Sequence, residues 1–264
     1  MALYKTASED VVPIGQKLAF GSGHLANQLF PAALGVFMVV LVMSLNMSPI
    51  LAGILGALPR LLDALTDPIM GFISDNTKSK WGRRKPYILL GSVITGVSFM
   101  VMWQLNPENS QMYNFFYFLT VSIFFYLGYT IFATPLIGLG YEMTSDYNER
   151  TRLMAVSQWM GQIAWMIAPW FWVIIYDPAI FDSAPEGAKK LAIWVGALCM
   201  VLGVLPAIFN KEKVLPDKRK MVDLSFKKLS KNLSNNPLRL VISSTHFYRR
   251  SQAFRKISRN IKNI

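Results

Sequence analysis

From Leu18 to Pro59 the chain runs 42 residues without an Asp, Glu, Lys or Arg. A helix rises about 1.5 Å per residue, so about 20 apolar residues cross the hydrocarbon of a bilayer. A stretch of twice that length, broken by Asn46 and Pro49, predicts two crossings joined by a short turn. The remaining sequence agrees: 53% of the 264 residues are hydrophobic and only 16% are charged, with a mean hydropathy of +0.33. These values exclude an ordinary water-soluble domain and predict an all-α, polytopic membrane protein.

Charged residues and turn formers divide the chain into six expected spans, about 18–45, 50–74, 86–105, 112–139, 153–176 and 190–209. The connections Asn46 to Pro49 and Asn106 to Gln111 carry no cation. The second connection carries Lys78, Lys80, Arg83, Arg84 and Lys85, and the fourth carries Arg150 and Arg152. The fifth mixes Lys189 and Lys190 with Asp177, Asp182 and Glu186. Because cytoplasmic loops retain the positive charge, seven cations against two place both termini in the cytoplasm, with the protein crossing the cell's inner membrane. Met1 to Lys17 is mixed in charge and leads into a stretch too long for a signal-peptide core, so the first helix is expected to be retained.

The net charge of +12 is not spread along the chain. Residues 1–210 hold 12 cations and 12 anions, whereas residues 211–264 hold 15 and 3. The expected organisation is a six-helix bundle over 1–210 and a basic cytoplasmic linker or tail over 211–264. Beside a bilayer such a tail faces anionic headgroups, so the expected partner is lipid and not nucleic acid. Leu224, Phe226, Leu229 and Leu233 are spaced like one face of a short interfacial helix. Pro237 to Ile242 then begins like a seventh span, but His246 to Arg250 cannot enter hydrocarbon, and the expectation is a chain that ends before a seventh helix. Cys199 is the only cysteine, which leaves no intrachain disulfide and too few ligands for zinc or a thiol catalyst.

The second span reads Arg60-Leu-Leu-Asp63-Ala-Leu-Thr-Asp67-Pro68. An ionised side chain near the bilayer centre costs about 2.5–3.5 kcal/mol, so three within eight residues point to function. Asp63 and Asp67 are one turn apart on one face, and Arg60 is three residues before Asp63 on that face. Two carboxylates with a hydroxyl or carbonyl suit Na⁺, or H⁺ exchange when one acid is protonated. Pro68 frees a backbone carbonyl one turn back that can add an oxygen ligand. An Arg60–Asp63 ion pair joining two helices is the structural alternative. A Mg²⁺-dependent membrane transferase needs further acids in an adjacent span, but Asp75, Glu142, Asp146 and Glu149 lie at loop level. No enzyme is therefore expected, and no cofactor beyond a coupling ion, Na⁺ or H⁺. His24 can relay a proton or bond across a helix interface. The glycines Gly21, Gly23, Gly35, Gly53 and Gly56 suit close helix packing.

The run Arg60-x-x-Asp63-Ala-x-x-Asp67-Pro68-Ile69-Met70-Gly71, with Asp75-x-Thr77-x-Ser79-x-Trp81-Gly82-Arg83-Arg84-Lys85-Pro86-Tyr87, closely resembles the glycoside-pentoside-hexuronide:cation symporters, the melibiose-carrier branch of the major facilitator superfamily. Phe20-Gly21-Ser22-Gly23-His24-Leu25-Ala26-Asn27 resembles that family's glycine-rich opening, and Tyr141-Glu142-Met-Thr144-Ser-Asp146-Tyr147-Asn-Glu149-Arg150-Thr151 its stretch after the fourth span. The resemblance implies the N-terminal half of a twelve-helix carrier whose two halves rock about a central site, by cation-coupled symport of a sugar or glycoside-like solute. It implies a cation site at Asp63, Asp67 and Thr130. It implies a solute site at Asn27, Gln28, Arg60 and Gln158. Trp159, next to Gln158, can stack on a sugar ring, or serve as one more aromatic residue of the membrane interface. Gln28, Ala133 and Gln158 stand where melibiose carriers have Asp, Asp and Arg, so three charged sugar contacts are neutral here. A lipid or lysolipid carrier on the same scaffold is the second reading. The loop from Gly71 to Lys85 resembles the superfamily's gating motif, which implies that Asp75, Gly82, Arg83 and Arg84, with Glu142, Asp146 and Arg150, lock one side closed. The expected partners are a monovalent cation, a small solute, and a separate C-terminal half or a second copy of the chain.

Overall fold

Prolines and loop-level polar residues set the ends of seven helices in the computed structural model, which describes residues 6–212. They are α1 Ile14–Met43, α2 Pro49–Ala57, α3 Arg60–Asn76, α4 Lys85–Met102, α5 Gln111–Glu142, α6 Tyr147–Ile175 and α7 Ala184–Phe209. Helices α2, α4 and α7 carry proline in their first turn, where the missing N–H has no helical partner anyway. The Ser110 hydroxyl caps α5 by accepting from the Tyr113 N–H at 3.2 Å, and the Asp146 carboxylate caps α6 by accepting from the Glu149 N–H at 2.7 Å. The basic tail expected over 211–264 lies, from residue 213 onward, outside the described residues, as do the interfacial helix and the seventh-span entry.

The helices pack as an arc in the order α6, α1, α7, α4, α5, α3. α4 and α7 cross backbone to backbone: a Cβ on Gly96 would sit 3.0 Å from the Gly196 carbonyl oxygen, and one on Gly196 2.9 Å from that of Gly96. At the α4–α5 crossing, a Cβ on Gly128 would come 2.9 Å from the Thr95 amide nitrogen. In lipid, where tails are as apolar as the helices, such close approach is what holds helices together. An aromatic cluster fills the centre, with Phe37 and Trp103 centroids 5.0 Å apart, Trp103 and Phe118 5.2 Å, and Phe30 and Phe99 5.5 Å.

Three elements differ from the sequence expectation. The second span is not one helix from 50 to 74: it breaks at Leu58–Pro59, because Pro59 has no N–H to continue the helical ladder and its ring crowds the carbonyl four residues back. The backbone recovers through tight bonds from the Leu61 N–H to the Leu58 oxygen and from the Leu62 N–H to the Pro59 oxygen. Among the described residues five helical stretches are long and apolar enough to cross a membrane by length and composition, with α2 and α3 counted together, and α6 is not among them. Its uncharged stretch 153–175 has 23 residues, but Gln158, Gln162 and four tryptophans lower its mean hydropathy. The sixth span also starts earlier than expected, at Ala184, which puts Lys189 and Lys190 inside α7, where Lys190 pairs with Glu186 one turn before it at 2.6 Å.

Candidate functional site

α3 and α5 run in the same direction, and α3 lays its charged face along a row of hydroxyls on α5. Arg60 Nε donates to the Tyr126 hydroxyl at 3.5 Å. Asp63 Oδ1 accepts from Thr130 Oγ1 at 3.3 Å, and Asp67 Oδ1 accepts from Thr134 Oγ1 at 3.1 Å. Tyr126, Thr130 and Thr134 recur every four residues, matching the one-turn spacing of the two acids. Thr66 adds a hydroxyl 3.2 Å from that of Thr130. Thr130 is buried, Asp63 is half-buried, and Arg60 and Asp67 are exposed at the edge of the arc. Among the described residues Arg60 forms no ion pair within 4 Å of Asp63, so the structural ion pair is not the arrangement found.

Of the expected solute residues, Arg60 stays with the acids on α3, and Asn27, Gln28, Gln158 and Trp159 lie on α1 and α6. Gln28 Oε1 accepts from Trp165 Nε1 at 3.2 Å, and Gln158 lies beside His24. The His24 Nε2 atom is buried without a partner at hydrogen-bond geometry, as is Asn27 Oδ1. Trp159 is 70% exposed, and it is Trp165 that reaches the polar row. The two clusters are joined by Tyr129, whose hydroxyl donates to the Asn27 carbonyl at 2.9 Å. The sequence reading does not single out Tyr126, Tyr129 and Thr134, and among the α6 tryptophans it favours Trp159 over Trp165; a four-residue hydroxyl period in an otherwise apolar helix is the available signal for Tyr126 and Thr134.

At the end of the bundle where α3 stops and α4 starts, Arg84 pairs with Asp75 and lies 3.3 Å from Glu142. Arg83 pairs with Glu142 at 2.8 Å and donates to the Asp75 carbonyl at 3.4 Å. A carboxylate in the last turn of a helix opposes the macrodipole, and the Arg84 guanidinium offsets this at Asp75. Gly82 turns the loop with φ of 111°, a conformation that side chains resist. The two backbone donors that follow are held by Glu212: its carboxylate accepts from the Arg83 N–H at 3.0 Å and the Arg84 N–H at 3.1 Å. Asp146 and Arg150 stand apart, in the α5–α6 corner, where Arg150 donates to the Thr144 carbonyl at 2.9 Å. That corner is strapped by the N-terminal segment. Asp10 accepts from Thr144 through its carbonyl and from Ser145 through its carboxylate. Buried Glu149 accepts from the Val12 N–H at 3.1 Å and pairs with Lys17 at 2.6 Å and with Arg152 at 3.2 Å.

Comparison with known proteins gives the family. The chain is 32% identical over 203 residues to an uncharacterized symporter of Synechocystis sp., a match covering 75% of this chain and 37% of the relative. It is 24% identical over 218 residues to a lactose permease of Lactobacillus helveticus, covering 74% and 34%, and 21% identical over 234 residues to an isoprimeverose transporter of Lactiplantibacillus pentosus, covering 85% and 48%. The chain thus spans a third to a half of the length of these curated relatives. By name the three are a symporter, a permease and a transporter, which sets the transferase reading aside. With residues 19–247 matching its family pattern, the chain belongs to the MFS/sugar transport protein family, as a multi-pass membrane member.

Proposed function

We propose that this chain forms one wall of a secondary carrier that couples Na⁺ or H⁺ to the movement of a sugar or glycoside-like solute by alternating access. The observation that carries this reading is the pair of α3 carboxylates one turn apart, each hydrogen-bonded to an α5 hydroxyl. A small cation at Asp63 and Asp67, with Thr130 as a third oxygen donor, neutralises a charge that is costly to enclose. Loading then lowers the barrier to closing the cavity and links ion to solute through one conformational equilibrium. Gln28, Gln158 and Asn27 supply amides that donate to and accept from solute hydroxyls. The Asp75–Arg84–Glu142 cluster, with Gly82 and Arg83, acts as the gate at its end of the bundle, and Asp146 and Arg150 hold the neighbouring corner. Arg60 and Asp67 stand exposed on α3, and such a polar face requires a covering wall, supplied by a separate helical half or by a second copy. The names of two relatives, a lactose permease and an isoprimeverose transporter, support the solute class.

In proteoliposomes holding the chain, alone or with a second six-helix half, lactose or isoprimeverose should drive cation movement against Na⁺ or H⁺ electrodes. Asp63→Asn should reduce the coupling by about 5- to 150-fold, the usual range of a two-site linkage, and Thr130→Val should weaken cation affinity by about 10-fold while leaving the fold intact. Cation movement driven by lysolipid and not by sugars would replace the solute proposed here with a lipid.

A further inference from the structure

Between the first turn of α4 and the last turn of α7 lies a groove of about 400 Å³, lined by Lys80, Trp81, Lys85, Leu89, Ala207 and Ile208. Its rim is cationic and its floor apolar. The acids at this end of the bundle are already engaged: Asp75 and Glu142 by the guanidinium groups, and Glu212 by the backbone donors of Arg83 and Arg84. Lys80 and Lys85 have no acidic partner within 4 Å among the described residues. Leu89 follows Lys85 by one helical turn, so the apolar floor begins about 6 Å deeper along α4 than the ammonium group's own turn. Trp81 is 69% exposed beside the two lysines, as suits an indole at the level where headgroup meets acyl chain. A free anion would need only the rim. The floor, on helices that lie in a membrane, needs a hydrocarbon chain attached to the charge.

We propose that this groove binds an acidic phospholipid, its phosphate between Lys80 and Lys85 and an acyl chain over Leu89, Ala207 and Ile208. Because Trp81 and Lys85 flank Gly82, Arg83 and Arg84, a lipid seated here fixes the loop that carries the ion-pair cluster. The test uses the full chain in phosphatidylcholine nanodiscs doped with chain-brominated phosphatidylglycerol, or with equally brominated phosphatidylcholine. The fluorescence of Trp81 is read as the difference between the parent chain and Trp81→Phe. The acidic lipid should quench that component preferentially. The preference should fall on the order of 10-fold in Lys80→Gln/Lys85→Gln and persist in Lys78→Gln, whose lysine is outside the groove. Ala207→Phe, which fills the floor without changing charge, should reduce quenching by both lipids in protein that keeps its helical circular dichroism. Equal quenching by the two lipids, an equal loss in Lys78→Gln, or displacement of the lipid by inorganic phosphate would each overturn the proposal.

Discussion

Glu149 is the most enclosed carboxylate of the described residues, and its partners decide how the protein responds to acid. Burial alone raises its pKa, but hydrogen bonds from Lys17, the Val12 N–H and Arg152 outweigh this and hold the group below its ordinary 4.5. A carboxyl with a depressed folded-state pKa adds stability that is fully present above the unfolded value and is lost as pH falls through the folded one. The thermal midpoint of the chain in detergent should therefore hold from pH 7 to about 5 and drop below pH 4.5. In Glu149→Gln the drop should be smaller, and an identical acid profile in the variant would show that the strap does not depend on this charge. Arg152 is a local partner, three residues on, but the other two were not legible in the sequence. Lys17 and Val12 precede Glu149 by 132 and 137 residues, and no periodicity links positions so far apart. Asp63 and Asp67 were legible, because their one-turn spacing is local and a charge in an apolar span stands out. Glu212 was not: it sits where the composition turns strongly basic, and a single acid there reads as dilution of a tail.

Helices are positioned here by their glycines and prolines more than by the pattern of apolar residues, since every face that meets lipid is apolar too. Periodicity therefore located the spans but not their neighbours. The Pro59 break was printed in the sequence, yet an uncharged run on one side and an amphipathic stretch on the other read as one crossing, because hydropathy records length and not backbone continuity. Helix contacts at Gly96 and Gly196 depend on which faces meet, which no local feature states. Their weight can be measured. A side chain at Gly196 must displace the α4 backbone at Gly96 and the Met100 side chain, an overpacking that costs about 1–3 kcal/mol. Gly53, by contrast, has open space where a Cβ would go, and alanine there removes the backbone-entropy cost of a helical glycine, about 0.5–1 kcal/mol. Gly196→Val should thus lower the melting temperature in detergent and Gly53→Ala should leave it equal or higher. Equal destabilisation by both would mean that the α4–α7 crossing is not the close contact described.

At the scale of the whole molecule, the ion pairs between helices gather helix ends on one side: the start of α1 meets that of α6, and the end of α3 meets the start of α4 and the end of α5. Glu212, just beyond α7, joins the same cluster. Alternating crossings produce this grouping only if each of α1, α2–α3, α4, α5, α6 and α7 traverses the membrane. α6 is the one whose hydropathy leaves this open, and its tryptophans and glutamines are consistent with a helix that faces both lipid and a polar cavity. Thiol labelling separates the cases. Cys199 is fully buried, so replacing it by Ala gives a background without reactive thiols. On that background Lys78→Cys, Glu108→Cys and Asp182→Cys place single thiols at exposed positions in three connections. If charge bias sets the orientation, an impermeant maleimide added to intact cells should label Glu108→Cys and Asp182→Cys, and should label Lys78→Cys only after permeabilisation. The reverse pattern would invert the topology while keeping six crossings. Labelling of Asp182→Cys together with Lys78→Cys, opposite to Glu108→Cys, would instead show that α6 does not cross. The α1–α6 contact would then have to form at the membrane surface, which the buried Gly161 of α6, packed on His24 in the middle of α1, does not permit.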